Sequence, residues 1–283
     1  MLQMLKRMTS NDGSTIKYVW KLTDNNTVES VYLRFDNYDS LCISSQAGCN
    51  LGCGFCATGL NGLKRNLTTQ EILNQVESVL NDVGSPKRDF EVSFMGMGEP
   101  LLNLEAVLEA MEHLKFNTPY IKFSLSTVGL VGKMYELAKR TKNLRLQVSL
   151  HAPNDNLRSQ IMPITKKYPI SEVLAAATHY AQYTEKYLTV NYMLLNGFND
   201  SDECAYELVE LLHSIPDSVT TYLKLSKFNP VSEIDFMHTP DERHKAFETI
   251  CAQSSLKVYR WASKGTDIGG GCGELRAKLI MDL

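Results

Sequence analysis

Long hydrophobic runs are missing: nowhere in the 283 residues do about eighteen apolar residues follow one another, the length a membrane-spanning helix needs. The opening Met-Leu-Gln-Met-Leu-Lys-Arg turns polar too soon for a secretory signal, so the sequence predicts a cytoplasmic protein with no membrane attachment. No internal repeat, low-complexity tract or composition break marks a linker, and at 43% hydrophobic content the chain can bury one large core. A surplus of positive charge is absent too. The net charge of −3 removes the simplest sign of a protein that grips nucleic acid. Cations are still grouped where loops are expected, at Lys64-Arg65, Lys87-Arg88, Arg158 and Lys166-Lys167, and a rim made of them would hold phosphates despite the acidic total.

Cysteine is present but unevenly spread. Cys49, Cys53 and Cys56 fall within Gly48-Cys-Asn-Leu-Gly-Cys-Gly-Phe-Cys-Ala-Thr-Gly59, which offers three thiolates and no fourth. Three thiolates can hold three corners of an iron-sulfur cube and leave one iron open to a ligand. The competing readings are a structural zinc site that borrows Cys42 or Cys272, and three unrelated buried cysteines. Seven cysteines in a cytosolic chain are better read as ligands, catalysts or core fillers than as disulfides. Cys204 and Cys251 fall in expected helices and read as packing residues.

The apolar pattern predicts an α/β protein. Ser14 to Leu22 and Thr27 to Phe35 alternate as two strands about a turn at Asp24-Asn25-Asn26. From Ser40 onward strand and helix repeat, with strand-like runs at Leu41 to Ser45, Phe90 to Met95, Ile121 to Ser126, Leu144 to Leu150, Tyr187 to Leu195, Tyr222 to Phe228 and Lys257 to Trp261. Thr68-Thr69-Gln70-Glu71 is a capping box, and Thr239-Pro-Asp-Glu242 opens the last helix with a cap residue and Pro at its first position. Seven strands separated by six helices predict a partial TIM-like parallel barrel with a hairpin extension, divided as 1–39 and 40–283. Polar and glycine-rich clusters follow each strand, among them Gly96-Met-Gly-Glu-Pro100, Ser149-Leu-His151 and Gly269-Gly-Gly-Cys-Gly273, where such folds place active sites.

The Cys-x3-Cys-x2-Cys spacing resembles the cluster motif of radical S-adenosylmethionine (SAM) enzymes, and Leu41-Cys-Ile-Ser-Ser-Gln-Ala-Gly-Cys49 with Lys64-Arg-Asn-Leu-Thr68 narrows it to the RlmN/Cfr family, from about Asp12 to Leu279. The resemblance implies a radical SAM methyltransferase that modifies an adenine ring carbon of RNA, ribosomal RNA before transfer RNA. It implies a 4Fe-4S cluster on Cys49, Cys53 and Cys56, and SAM held by Gly98, Glu99, Ser126, Ser149, Leu150, His151 and Asn229. Cys272 matches the family's methyl carrier: one SAM methylates it, and a radical from a second SAM takes hydrogen from that methyl group before the carbon adds to adenine. Cys42 matches the cysteine that resolves the crosslink by a disulfide with the carrier, and Glu29 matches a proposed proton acceptor. His151 by itself reads as a satisfied strand-end histidine without acid-base work. An electron donor such as flavodoxin and a monomeric state are implied as well.

Three features differ from most of the family. Only Met1 to Asn11 precede the match, where most members carry a further helical domain associated with RNA contact; a different acceptor with the same chemistry is therefore the alternative reading. Gly269-Gly-Gly271 and Glu274 depart from the usual residues around the carrier. The motifs from Met95 and Ser149 look closer to the C2-methylating branch, and Phe55 to Gly59 with Gly62-Leu63-Lys64 closer to the C8 branch; the balance favours C2.

Overall fold

A computed structural model describes residues 2–86, 89–118 and 120–276. They form two compact units, the first from Met1–Asn50, Cys56–Leu125 and Lys264–Leu283, the second from Leu51–Phe55 and Ser126–Ser263. The expected strands and helices are present with shifted ends, together with three further strands and a seventh α-helix. No described helix is long and apolar enough to cross a membrane. Lys87 and Arg88, expected on the phosphate rim, lie outside the described residues.

In the first unit β1 (Gln3–Thr9), β2 (Thr15–Lys21), β3 (Thr27–Arg34) and β4 (Tyr38–Cys42) run antiparallel in sequence. A small antiparallel ribbon, β5 (Gln46–Gly48) with β6 (Leu63–Asn66), brackets part of the cysteine-rich loop. Next come α1 (Thr69–Val83), β7 (Asp89–Phe94), α2 (Leu104–Asn117) and β8 (Lys122–Thr127), with β7 parallel to both β4 and β8. The β2–β3 turn is built as expected: Asn25 takes φ +67°, and Asp24 Oδ1 accepts from Asn26 N at 3.1 Å. The first residues, expected to be a polar lead, are strand β1. It is exposed on both faces, so it buries no alternating stripe and is held by main-chain pairing to β2.

Strand β4 begins earlier than the apolar run and stops at Cys42 rather than Ser45. The reason is Gln75 on α1, which is fully buried. Its Oε1 accepts from Ser44 N at 2.9 Å and its Nε2 donates to Ser44 O at 3.0 Å, so a side-chain amide replaces the next strand partner. The same Oε1 accepts from Ser30 Oγ, and Ser44 Oγ donates to Glu29 O at 2.6 Å and accepts from Met97 N at 3.0 Å. Around this polar node lie Leu41, Ile43, Ile72, Val76, Val92 and Phe94, all buried. The capping box starts α1 as read: Thr68 Oγ1 accepts from Glu71 N, and the Glu71 carboxylate accepts from Thr68 N.

The second unit has β9 (Leu144–Ser149), β10 (Leu188–Leu194), β11 (Thr221–Lys227) and β12 (Lys257–Trp261) in one parallel order. They alternate with α3 (Val131–Arg140), α4 (Asp155–Ile161), α5 (Ile170–Thr184), α6 (Asp202–His213) and α7 (Asp241–Gln253). The register pairs Ser149 with Asn191, Asn191 with Lys224 and Lys224 with Tyr259. One sheet face therefore carries buried Leu146, Val148, Val190, Leu223 and Leu225, and the other carries polar side chains. Cys204 and Cys251 are buried in α6 and α7 as expected, and burial pushes the Cys251 thiol up to about 12. Thr239 does not cap α7; Pro240 holds that position, and the Thr239 hydroxyl donates to Asp200 Oδ2 at 2.8 Å.

Arg158 corrects the expected phosphate rim. It sits in α4 rather than a loop and is fully buried. Its guanidinium donates to Leu150 O, Ser149 O, Val128 O and Thr165 Oγ1, so it fastens the β9 end to its own unit. Arg65 is also engaged, donating to both oxygens of Glu71 and to Asp24. Lys166 and Lys167 remain exposed.

Replacing Gln75 with Leu would strand Ser44 N, Ser44 O and the Ser30 hydroxyl in the core. Urea unfolding followed by circular dichroism is expected to show a loss of about 2–4 kcal/mol. An unchanged midpoint would show that the node is dispensable.

Candidate active site

In the first unit, β4 and β7 end beside each other, and tight glycine turns follow both. Gly96 N donates to Ile43 O at 3.0 Å, and a Cβ on Gly96 would lie 2.7 Å from that oxygen, so only glycine allows this approach. Gly98 has φ +100°, with Gln46 against it. Glu99 is buried: its N donates to Gln46 Oε1 at 2.8 Å and its Oε1 accepts from Leu101 N at 3.1 Å, capping the short helix Pro100–Asn103. Gln46 Nε2 in turn donates to Asn66 Oδ1. Gln46 was not singled out by sequence reasoning, although it sits three residues before Cys49, because a glutamine in a polar loop carries no spacing signal.

The cysteine loop leaves β5 at Gly48, where φ is +80° and Cys49 N donates to Gly62 O at 3.2 Å. Immediately after Cys56, Ala57 N donates to Gly273 O at 2.9 Å, and Thr58 Oγ1 donates to Leu275 O at 2.6 Å. Cys56 and Cys272 are thus each one residue from the same backbone hydrogen bond. Cys56 is half-buried and Cys272 exposed.

The segment bearing Cys272 is tied down on its other side by β2 and β3. Lys17 Nζ donates to Gly269 O at 2.8 Å and pairs with Glu29 Oε1 at 3.1 Å, while Glu29 Oε2 accepts from Arg276 N at 3.0 Å. Glu29 and Lys17 are both buried, so Glu29 is not the outward hairpin acid its strand position suggests. Glu274 accepts from Gly271 N at 2.7 Å, and burial raises its pKa. Cys42, half-buried at the end of β4, belongs to this unit as well. The expected Cys42–Cys272 disulfide is not present: none of the seven cysteines is in a disulfide. Forming it would require the two sulfurs to be brought into bonding geometry.

In the second unit Ser126 and Ser149 hydroxyls lie 3.1 Å apart, and Asn191 Nδ2 donates to Ser126 Oγ at 3.2 Å. Asn191 Oδ1 is buried with no hydrogen-bond partner among the described residues. Asn191 was missed because a polar residue within an apolar run reads as a simple alternation of faces. His151 is buried with φ +58°; its Nδ1 accepts from Met193 N at 3.0 Å, and Phe55 meets its ring edge-on at 4.9 Å. Burial, then the charges of Arg158 and Lys224, lower its pKa to about 3, so its ring is neutral. Leu150 is buried beside it, its carbonyl held by Arg158. Asn229 Nδ2 donates to Ser263 Oγ at 3.0 Å. Cys53 belongs to this unit and is close enough to Arg158 for their charges to interact, although burial dominates and brings the guanidinium down to about 10.

The model of the radical SAM superfamily matches residues 43–209. A probable dual-specificity RNA methyltransferase RlmN from Dictyoglomus turgidum is 40% identical over 95% of this chain and 77% of its own length. The dual-specificity RNA methyltransferase RlmN of Syntrophotalea carbinolica is 42% identical over 96% of this chain and 72% of its own. A solved radical SAM methyltransferase from Sphaerobacter thermophilus, 36% identical, aligns over 98% of this chain and 82% of its own with a TM-score of 0.91. SuiB from Streptococcus suis, solved with SAM bound, shares the fold at 16% identity and a TM-score of 0.59, over 82% of this chain and 52% of its own. The chain belongs to the radical SAM superfamily and, within it, to the RlmN family.

Membership brings a 4Fe-4S cluster and SAM as cofactors and an α/β fold with a mostly parallel central sheet. The residues present fit both groups. Cys49, Cys53 and Cys56 are three thiols on one loop, none of them fully buried. Among the described residues no three His, Cys, Asp or Glu side chains are gathered for a single ion; an iron-sulfur cube spreads its thiolates over three separate irons. For SAM, the second unit offers Asn191 Oδ1, without a hydrogen-bond partner among the described residues, beside the Ser126 and Ser149 hydroxyls, and the first unit by itself offers the close backbone at Gly96 and Gly98.

Lys17→Met would leave Glu29 buried without its cation, at a cost of about 3 kcal/mol. Limited proteolysis should then cut between Gly265 and Glu274 faster than in the parent chain; equal rates would sever the link between Lys17 and the segment bearing Cys272. A second expectation concerns pH. An unfolded histidine takes up a proton near 6.5 and folded His151 only near 3, so the stability it contributes is complete above about 6.5 and declines as pH falls toward 3. His151→Gln should remove part of this acid dependence in thermal melts, and His244, held at about 4 chiefly by burial, supplies a further part of the same sign.

Proposed function

We propose that the chain is a SAM-dependent RNA methyltransferase that delivers a methyl-derived carbon through Cys272 to an adenine ring carbon, C2 before C8, of ribosomal RNA and also of transfer RNA. The reading rests above all on one observation, the hydrogen bond from Ala57 N to Gly273 O that joins the segment bearing Cys272 to the end of the cysteine loop. It is supported by the dual-specificity RNA methyltransferases that the chain resembles at about 40% identity. A carrier has to meet SAM near the cluster, and a main-chain bond one residue from each cysteine is a direct way to keep it there.

In this proposal Cys49, Cys53 and Cys56 hold the cluster, which supplies the electron for reductive cleavage of SAM. Gly98 and Glu99 receive the SAM amino group, the carboxylate being fixed by its own bond to Leu101 N. Ser126, Ser149 and Asn229 offer hydroxyl and amide groups to ribose and adenine, and Leu150 lends an apolar surface. Neutral His151, with Nδ1 committed to Met193 N, has Nε2–H left to donate, which orients a ligand without adding charge. Glu29 is the proton acceptor, Cys42 acts in release of RNA from Cys272, and the hairpin of residues 1–39 serves as an extension to the catalytic part 40–283. A flavodoxin-type electron donor, a monomeric state and a cytoplasmic setting complete the proposal.

The test is anaerobic incubation of cluster-loaded enzyme with labelled SAM, a reductant, and either protein-free ribosomal RNA or transfer RNA. Nucleoside analysis is expected to find 2-methyladenosine, and peptide mass spectrometry a methyl group on Cys272. Cys272→Ala should abolish transfer, and Cys42→Ala should accumulate an RNA adduct on Cys272. Methylation of neither RNA by an enzyme whose Cys272 is methylated would refute the substrate; an unmodified Cys272 in active enzyme would refute the carrier.

A further inference from the structure

The polar face of the second unit's sheet continues below Ser149 and Asn191 toward the start of its strands. There a cavity of about 440 Å³ opens, lined by Arg145, Gln147, Tyr187, Tyr222, Lys257 and Tyr259. These positions alternate along β9, β11 and β12, so pleat and register put them on one face. The composition is unusual for the inside of a parallel α/β sheet, where bulky branched side chains ordinarily fill the space.

The three tyrosines form a row. Tyr187 and Tyr222 have ring centroids 5.2 Å apart at 74°, and Tyr222 and Tyr259 are 6.4 Å apart at 69°. An edge-to-face contact covers one face of one ring in each pair and leaves the remaining faces free of another ring. Two cations flank the row: Arg145 lies over Tyr187 at 5.9 Å and donates to its hydroxyl at 2.5 Å, and Lys257 Nζ lies over Tyr222 at 5.5 Å. Gln147 Oε1 is buried in the same cavity with no hydrogen-bond partner among the described residues. A buried amide oxygen left without a donor is costly, and it marks where an incoming N–H would be received.

Each of these groups calls for a different part of one ligand. The tyrosine faces suit a flat ring, Gln147 Oε1 suits a ring amine or imide, and Arg145 with Lys257 suits a phosphate. We propose that this cavity is a second binding site, distinct from the methyl-transfer site, that takes a nucleotide: base on the tyrosines, base N–H on Gln147, phosphate between Arg145 and Lys257. The site does not depend on the methyl-transfer reading. A free mononucleotide and a nucleotide within single-stranded RNA share the chemistry it recognises.

The test is calorimetric titration of the full-length, cluster-loaded protein, kept saturated with S-adenosylhomocysteine so that adenine cannot enter the SAM site. AMP, adenosine, inorganic phosphate and the trinucleotide ApApA are the probes. AMP is expected to bind, adenosine more weakly, and phosphate alone not to saturate. Tyr222→Ala should weaken AMP and adenosine by about tenfold. Arg145→Met and Lys257→Gln should weaken AMP by about as much and leave adenosine nearly unchanged. Lys257 is exposed, so its variant keeps the test valid if the inner substitutions disturb folding. Tighter binding of ApApA than of AMP would assign the site to an RNA strand, and the reverse to a free nucleotide. The proposal is overturned if neither saturates, if the cation variants leave AMP affinity unchanged, or if phosphate binds as well as AMP.

Discussion

The first unit is organised by a buried amide meeting a buried serine. Gln75 holds both backbone groups of Ser44, and the Ser44 hydroxyl holds Glu29 O and Met97 N. One side chain of α1 thereby sets where β4 stops, where the loop toward Cys49 begins, how β3 passes, and where the glycine turn after β7 is anchored. Trp20 Nε1 extends the chain of bonds by donating to Ser30 Oγ, which itself donates to Gln75. A buried network with every member satisfied is rigid, and a cofactor site built on strand ends needs that rigidity.

Upon this frame the segment bearing Cys272 is attached from two directions. Main-chain and hydroxyl bonds join Gly273 and Leu275 to the residues after Cys56, and the Lys17–Glu29 pair secures Gly269 and Arg276. The N-terminal strands therefore do more than extend the sheet: they supply the buried charges that hold a glycine-rich turn in place. Buried ion pairs add little net stability, but they specify position because a displaced partner would be left charged and dry.

The second unit solves a different problem. Its sheet sends apolar side chains to the helices and polar ones to the opposite face, with Arg158 gathering four acceptors at the end of β9. A cation at the expected phosphate rim is thus structural, whereas Arg145 and Lys257 line a cavity at the opposite strand ends. Net charge could not distinguish these uses.

The spacing of Cys49, Cys53 and Cys56, the Thr68–Glu71 capping box and the strand-helix rhythm were legible in the sequence because each depends on residues close together along the chain. So was the family, carried by short motifs at strand ends. Other features required the folded chain: that Glu29 is buried with Lys17, that Gln46 and Asn191 join the candidate SAM residues, that Arg158 is internal, and that Cys272 returns to Cys56. Each rests on pairing between residues far apart in sequence, whose side chains are ordinary polar surface residues until a register or a crossover places them. Local chemistry announces itself through spacing; the burial and partners of a lone polar residue are set by the elements that close over it.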